Sequence, residues 1–198
     1  MQVSPRILLH EVGPRDGLQM ERAVVPTETK AGWIARLACS GLDIVQAGSF
    51  VSPDKVPQMA DADAIFGRLT AAGAPSRKAL LSGFVLNEKG LERGLSAGVE
   101  LFCMGVSASE THSRKNAGTG TVEATRQIVA MAKRALAGGR PVQVSVQSAF
   151  GCGYEGPIPE ERVLGICRAY LEAGLTRISL ADTAGHAHPA QVSRLFGA

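Results

Sequence analysis

Three adjacent residues near the start of the chain, Arg15-Asp16-Gly17, have side chains that could do chemistry. A carboxylate is a preferred ligand of hard divalent cations, so Asp16 could hold one. The planar guanidinium of Arg15 could meet a carboxylate or a developing enolate with a fork of donors. The same residue types are common in turns, and on composition alone a simple turn is favoured. The context of the three residues has to decide between these interpretations.

Polar residues also follow most of the other β-rich runs in the chain. In chain order they are Gln46-Ala47-Gly48-Ser49, Ser107-Ala108-Ser109-Glu110, the segment 151–155 and Asp182-Thr183. The carboxyl ends of parallel strands form the ligand-binding face of α/β proteins. This placement therefore predicts one site that is assembled from several strand ends.

Short β-rich runs alternate with longer helical patterns, which is typical of repeated βα units. Most runs are apolar without clean alternation, which indicates strands covered on both faces and hence a parallel sheet. The predicted strands are Ile7–Val12, Leu42–Ala47, Ala79–Leu86, Val99–Val106, Val142–Ala149 and Arg177–Ala181. The predicted helices are Thr27–Cys39, Val56–Ala72, Glu88–Ala97, Val122–Ala137, Glu160–Ala173 and one that begins near Pro189.

Six βα units in sequence are compatible with a doubly wound open sheet or with a (β/α)8 barrel of the TIM type. The polar residues at one rim favour the barrel, although an open sheet also binds ligands at its strand ends. We therefore expect a single catalytic domain over residues 1–198. A whole barrel usually needs on the order of 250 residues, so six units predict an incomplete barrel.

Composition excludes several other classes of protein. The net charge of +3 is too small, and its Lys and Arg residues too scattered, for a nucleic-acid-binding surface. The four cysteines form no C-x-x-C pair, which favours reduced thiols over disulfides or zinc. We find neither a signal peptide nor a membrane-spanning stretch in the sequence, and expect a cytoplasmic protein.

Five motifs, in this order, resemble those of the 3-hydroxy-3-methylglutaryl-CoA (HMG-CoA) lyase family. The first is EVGPRDGLQ at 11–19. The others are SFVSP at 49–53 with VPQMAD at 56–61, SASETH at 107–112 with RKN at 114–116, FGCGYEG at 150–156 and ISLADT at 178–183. Together they cover nearly the whole chain. The resemblance implies a (β/α)8 barrel and a metal-dependent carbon–carbon lyase that acts on an acyl-CoA.

The resemblance also implies roles for individual residues. Asp16 would bind a divalent cation, Mg²⁺ or Mn²⁺, and Arg15 would act on the substrate carbonyl and the forming enolate. Asp182 would support catalysis. Substrate contacts are expected from Gln19, Gln46, Ser49, Asn116 and Ser179. The reaction would cleave HMG-CoA into acetyl-CoA and acetoacetate, and we expect the enzyme to be a homo-oligomer.

The chain departs from the family pattern at two places. Gln46 stands where the family usually has Glu, which makes a different but similar 3-hydroxyacyl-CoA conceivable as the substrate. The family's His-x-His metal ligands, a further Asn ligand and a catalytic Cys would follow beyond Ala198. We interpret His186 and His188 as a helix-start segment rather than as substitute ligands. Cys152 is expected to be a buried structural thiol.

Two other functions remain possible from the sequence. One is an acyl-CoA-condensing synthase of the isopropylmalate or citramalate type, which shares a similar first strand. The other is a non-catalytic barrel that binds acyl-CoA or a partner. The lyase-like SFVSP and VPQMAD segments favour the lyase over the synthase.

Overall fold

The computed structural model describes residues 6–74 and 76–198. Its strands are β1 (His10–Glu11), β2 (Ile44–Ser49), β3 (Leu80–Phe84), β4 (Leu101–Ser107), β5 (Val142–Gln147) and β6 (Ile178–Leu180). Its α-helices are α1 (Thr27–Ala38), α2 (Ala62–Thr70), α3 (Glu88–Ala97), α4 (Glu110–Ala117), α5 (Thr121–Ala137), α6 (Glu160–Glu172) and α7 (Pro189–Gly197). A π-helical turn spans Gly13–Gly17, and a short 3₁₀ turn spans Pro57–Met59.

The order of the strands decides between the two predicted architectures. The sheet runs β1-β2-β3-β4-β5-β6, and the pairs β1–β2, β2–β3 and β5–β6 are parallel. A doubly wound sheet reverses its strand order at a switch point, whereas here each strand lies beside the next strand of the sequence. The prediction of a TIM-type barrel with six βα units is therefore confirmed.

The chain divides into two compact units, of which the first reaches to Phe102 and the second spans Cys103–Ala198. In the first unit, Ile34, Phe66 and Leu81 are fully buried between the helices and the sheet. In the second unit, Val146 and Tyr170 are fully buried in the same way. Each unit thus has its own apolar core, as two-layer packing of helices on a sheet requires.

Close packing inside the second unit depends on a glycine in β4. A Cβ atom added at Gly105 would lie 2.0 Å from Ser145 Oγ on β5, which no side chain could tolerate. The Tyr170 hydroxyl of α6 donates to the backbone carbonyl of that same Ser145 at 3.3 Å. Gly105 therefore permits β4 to approach β5 closely, because only glycine lacks the atom that would collide.

The first predicted strand was too long. Only His10 and Glu11 form β1, whereas Ile7, Leu8 and Leu9 are 83%, 54% and 58% exposed. β1 is the edge strand of the described sheet, so one of its sides has no strand partner there. An apolar run alone predicts burial, but burial also requires a covering neighbour.

Helix α4 lies between the predicted strand Val99–Val106 and the predicted helix Val122–Ala137, where the sequence pattern predicted no helix. The Ser109 side chain caps the helix by accepting the His112 backbone N–H at 3.1 Å. Gly118 ends it in a left-handed conformation with φ of 75°. Ser at the N-cap and Gly just past the end are the ordinary helix signals, and they were present in the sequence.

Within the described residues, none of the helices combines the length and the apolarity that crossing a membrane would require.

Candidate active site

The π-helical turn after β1 presents Arg15 and Asp16. The backbone N–H groups of both residues donate to the Val12 carbonyl, at 3.0 and 2.7 Å. The Gly13 N–H donates to the Glu11 carboxylate at 2.6 Å, which fixes the start of the turn. Single π-helical turns are rare and frequently occur at functional sites.

The guanidinium of Arg15 is held on three sides. Its Nε donates to Gln46 Oε1 at 2.5 Å, and its Nη1 donates to Asp16 Oδ1 at 2.6 Å. The Phe84 ring lies beneath it, with the ring centroid 4.8 Å from the guanidinium carbon. Because only 15% of the Arg15 side chain is exposed, the cation is oriented before any ligand arrives. Phe84 was not predicted, since no local signal identifies the aromatic residue that supports an arginine.

Two predicted substrate contacts, Gln46 and Ser49, lie on β2. Both are buried, and Gln46 is only 3% exposed. Within the part of the chain that the structure describes, Ser49 Oγ has no hydrogen-bond partner. A buried hydroxyl without a partner is uncommon in folded proteins, so Ser49 is a group that a ligand could satisfy.

Further polar side chains occupy the same face of the sheet as Gln46. His10 pairs with Ile44 across the β1–β2 register, and Gln46 pairs with Ser82 across the β2–β3 register. Residues in register, and residues two apart on a strand, share one face. His10 Nε2 lies 2.9 Å from Ser82 Oγ, so the first three strands carry a layer of polar groups below Arg15. This pair was also missed by the sequence analysis.

The VPQMAD segment secures the loop after β2. Lys30, 1% exposed on α1, donates through Nζ to Asp61 Oδ1 at 2.5 Å and to the Gln58 carbonyl at 2.7 Å. Thr27 Oγ1 donates to the other oxygen of Asp61 at 2.7 Å. Gln58 Nε2 donates to the backbone carbonyl of Glu21, downstream of the Arg15 turn. The motif thus ties α1, this loop and the end of the first-strand segment together.

The remaining first-unit predictions concern Gln19 and the metal. Gln19 lies half-buried just after the π-helical turn. The Asp16 carboxylate is 61% exposed and is already shared with Arg15. Within residues 6–74 and 76–198, no three His, Cys, Asp or Glu side chains are grouped so that they could hold a metal ion. The described donor set therefore does not fit a divalent cation by itself, because such an ion takes about six oxygen ligands.

In the second unit, Asn116 lies on the exposed last turn of α4. Its Nδ2 lies 2.9 Å from His112 Nε2, and burial lowers the pKa of His112 below its ordinary value. The His112 ring stacks on Tyr154, with ring centroids 6.3 Å apart, and Lys115 Nζ lies 3.7 Å from the Tyr154 centroid. Asn116 is therefore on a surface of mixed aromatic and basic character.

Asp182, the second predicted catalytic residue, contacts backbone rather than side chains in its own unit. Its two carboxylate oxygens accept the N–H groups of His186 and Ala187 at 2.9 and 3.1 Å. His188 is the N-cap residue of α7, as the helix-start interpretation predicted. Ser179 lies half-buried in β6, in register with Ser145. Catalysis by Asp182 and substrate contact by Ser179 stay predictions.

Cys152 is buried, as predicted, in the loop after β5. Its Sγ lies 3.1 Å from Ser109 Oγ, and the Tyr154 N–H donates to it at 3.4 Å. Burial raises the pKa of the thiol, but its hydrogen bonding with Ser109 and the hydrogen bonds from the Tyr154 and Glu155 N–H groups outweigh this effect. The pKa of Cys152 therefore lies below its ordinary value.

Comparison with known proteins places the chain in a family. A family model described as HMGL-like matches residues 6–198, which is nearly the whole chain. The chain belongs to the HMGL-like family.

Individual relatives of this HMGL-like chain are named as HMG-CoA lyases. The chain is 36% identical over 199 residues to the HMG-CoA lyase YngG of Bacillus subtilis, a match that covers 100% of this chain and 65% of the relative. It is also 35% identical over 190 residues to the HMG-CoA lyase of Pseudomonas mevalonii, and this match covers 96% of this chain and 62% of that protein.

Solved structures agree with the sequence relatives. The B. subtilis HMG-CoA lyase superposes with a TM-score of 0.91 at 34% identity, covering 100% of this chain and 65% of that one. An HMG-CoA lyase of Acinetobacter baumannii, solved with coenzyme A and 3-methylmalate, gives a TM-score of 0.87 at 34% identity. This match covers 95% of this chain and 60% of that one. This HMGL-like chain thus spans less than two thirds of the length of these relatives.

Proposed function

We propose that this HMGL-like protein is a carbon–carbon lyase that cleaves HMG-CoA, or a similar 3-hydroxyacyl-CoA, to acetyl-CoA and a keto acid. The observation that carries the proposal is the fixed guanidinium of Arg15 at the carboxyl end of β1, held by Gln46, Asp16 and Phe84. The naming of relatives as HMG-CoA lyases supports the choice of substrate. A condensing synthase has no comparable support.

The reaction needs a cation in the position that Arg15 would take. Loss of the 3-hydroxyl proton lets the bond between C2 and C3 break, which forms a keto group at C3. The bonding electrons pass to the thioester, whose oxygen becomes the negative oxygen of an enolate. A guanidinium that is already oriented stabilises that charge without reorganising in the transition state. Protonation of C2 then yields acetyl-CoA.

We propose substrate contacts for Ser49 and Gln46 beside Arg15, and for Gln19, Asn116 and Ser179 on their own elements. Ser49 Oγ supports its assignment best, because it is a buried hydroxyl that needs a partner. The A. baumannii relative was solved with coenzyme A and 3-methylmalate, which supports an acyl-CoA as the ligand of this protein too. We further propose a cytoplasmic homo-oligomer.

A requirement for Mg²⁺ or Mn²⁺ also remains a proposal, with Asp16 as one ligand. The described residues supply no group of three or more His, Cys, Asp or Glu side chains around Asp16, so further ligands have to come from elsewhere. We therefore expect the 198-residue chain to bind either ion weakly. Calorimetric titration with MnCl₂ and MgCl₂ measures this directly, and a tight one-to-one site would contradict the expectation.

The decisive experiment is an assay of the purified protein with HMG-CoA, with and without Mn²⁺. Because the 198-residue chain is expected to bind the ion weakly, the expected result is slow formation of acetoacetate and acetyl-CoA in equal amounts, at a rate that rises with the Mn²⁺ concentration. A parallel reaction with acetyl-CoA and a 2-oxo acid tests for the synthase. Condensation without cleavage, or neither reaction at any protein concentration, would overturn the proposed function.

A further inference from the structure

Phe84 contacts the Arg15 guanidinium without a charge and without a hydrogen bond. The guanidinium carbon lies over the Phe84 ring, 4.8 Å from its centroid, which is within the roughly 6 Å range of a cation–π contact. Gln46 and Asp16 accept hydrogen bonds from Nε and Nη1 of the same cation. Two hydrogen bonds leave a planar group able to rock about the line that joins them. A ring packed against the group restricts this motion.

A β-bulge in β2 places the Phe84 ring on the same face of the sheet as Gln46. Gln46 pairs with Ser82 of β3, but the register then shifts, so that Ser49 rather than Gly48 pairs with Phe84. Residues in register, and residues two apart on a strand, share one face. The bulge therefore brings Ser49 and Phe84 to the face that carries Gln46. Bulges are frequent beside active sites, where they redirect a side chain.

Close packing on the opposite face fixes the backbone that carries Phe84. A Cβ atom added at Gly83 would lie 2.9 Å from Val99 Cγ2 and 3.0 Å from Phe50 Cε2, so the strand has no room to shift in that direction. The Phe50 N–H donates to the Phe84 carbonyl at 2.9 Å, which continues the hydrogen bonding between β2 and β3 after the bulge. The ring therefore starts from a fixed backbone position.

The Phe84 and Asp16 contacts differ in what can compete with them. The Asp16 carboxylate is 61% exposed, so water screens its attraction for Arg15, and it is also the proposed ligand of a divalent cation. Hard cations take oxygen ligands, so such an ion does not compete for the ring. The Arg15 side chain is only 15% exposed, and removal of water strengthens a cation–π contact.

We infer that Phe84 is a positioning residue of the lyase reaction, which orients the Arg15 guanidinium toward the developing enolate oxygen through a cation–π contact. This inference rests on the proposed function, because it concerns the reaction at the same site. Phe84 acts through Arg15 and not on the substrate. A guanidinium that has to reorient stabilises the transition state less, so loss of the contact should lower kcat and leave KM nearly unchanged.

Fluorination of the ring tests the contact while largely keeping the shape of the side chain. Each fluorine withdraws electron density from the ring face and so weakens its attraction for a cation. The 4-fluoro, 3,5-difluoro and 3,4,5-trifluoro derivatives of Phe84 should lower kcat stepwise, to about fivefold or more for the last. The same derivatives of Phe50, whose ring centroid lies 5.5 Å from the Arg93 guanidinium carbon, are the matched control and should leave kcat unchanged.

Two ordinary substitutions extend the test. Phe84→Leu removes the ring and should lower kcat by about 5- to 30-fold, with KM changed by less than about twofold. Phe84→Tyr keeps an aromatic face and should retain kcat to within about twofold. Phe196→Leu removes a ring that is 68% exposed on α7 and should behave like the unmodified protein.

The Arg15 side chain of the free protein gives a measurement that needs no turnover. Its Nε–Hε resonance can be recorded by NMR and assigned by its loss in Arg15→Met. Because an aromatic ring shifts the resonances of nearby nuclei, this resonance should move in Phe84→Leu. It should stay close to its original position in Phe84→Tyr and in Phe196→Leu.

Three results would overturn the inference. They are equal kcat values along the Phe84 fluorination series, an equal fall in kcat along the Phe50 series, and an Arg15 resonance that does not move in Phe84→Leu. If Phe84→Leu does not fold, the fluorinated proteins decide through kcat and through the Arg15 resonance. If the unmodified protein does not cleave HMG-CoA, only the proposed function fails, and the Arg15 resonance decides the role of Phe84.

Discussion

The two compact units use charged residues at strand ends in different ways. In the first unit, carboxylates such as Glu11 also accept backbone N–H groups, but two largely buried cations contact other side chains: Arg15 contacts Gln46, and Lys30 contacts Asp61. In the second unit, carboxylates accept backbone N–H groups. Glu155 accepts from Thr111 at 2.6 Å, Glu110 accepts from Thr121 at 3.1 Å, and Asp182 accepts from His186 and Ala187.

This difference shows that a carboxylate at the end of a parallel strand is weak evidence of catalysis by itself. A carboxylate that accepts backbone N–H groups stabilises the shape of a loop or the start of a helix. A cation oriented by buried side chains is instead prepared for a ligand. The first unit is thus the better candidate for chemistry, and the second for shaping the loops around its strand ends.

The largest expected effect is on stability in the first unit. Lys30→Met removes the buried cation that donates to Asp61 and to the Gln58 carbonyl, so both acceptors lose this charged donor. The free energy of unfolding should fall by about 3 kcal/mol or more. Urea denaturation measures the change, with Lys89→Met on the exposed side of α3 as the control. Equal stability of the two variants would show that this network is not structural.

The next effect is on catalysis. Arg15→Met should lower kcat by about 100- to 1,000-fold, as the loss of a donor to a developing oxyanion does in other enzymes. Arg15→Lys should be intermediate, because an ammonium keeps the charge but lacks the planar fork. Initial rates with HMG-CoA provide the measurement, and exposed Arg22→Met is the control. A rate for Arg15→Met within twofold of the unmodified protein would remove Arg15 from the mechanism.

In the second unit, Glu155 should make the free energy of unfolding depend on pH. The Thr111 N–H holds the pKa of Glu155 below its ordinary value of 4.5, with help from Arg162 against the opposing effect of burial. The folded state therefore binds protons less readily than the unfolded state. The stabilisation is present above pH 4.5 and is lost as the pH falls through the lower folded value. Glu155→Gln should lack this component, because its amide does not titrate.

Unfolding free energies measured from pH 7 down to pH 3 test this expectation. The unmodified protein and the control Glu172→Gln, on exposed α6 surface, should lose more stability below pH 4.5 than Glu155→Gln does. Parallel curves for all three proteins would contradict the assigned role of the Thr111 hydrogen bond.

The smallest effect should come from the cap of α4. Ser109→Ala removes the acceptor of the His112 N–H and should cost about 1 kcal/mol of unfolding free energy. Ser193→Ala, on the exposed side of α7, should change stability by less than about 0.5 kcal/mol. If the two substitutions cost the same, the Ser109 cap does not stabilise the helix.

Local patterns predicted most of the fold, and the misses have physical causes. Helix α3 lies where its periodicity placed it, between an Asn87 cap and Gly98. Helix α4 was missed because its eight residues include few apolar positions, so hydrophobic periodicity has little to detect. Strand β1 was overextended because an apolar run does not reveal which strand is at a sheet edge.

The site was predictable to a smaller extent. Arg15 and Asp16 are adjacent in sequence, so their pairing needed no knowledge of the fold. Gln46 could be named as a departure from the family pattern, but its contact with Arg15 could not. Phe84 and the contact between His10 and Ser82 had no signal, because an aromatic residue or a serine in a strand usually serves only packing.

The sequence by itself determined the alternation of strands and helices, the parallel sheet and the residue types at each strand end, because these depend on short-range periodicity and turn chemistry. Tertiary structure decided which of those residues act together. Arg15 meets Gln46 across 31 positions, and Lys30 meets Asp61 across the same separation. Such contacts depend on strand register and helix packing, which bring distant residues within hydrogen-bond distance and bury them away from competing water.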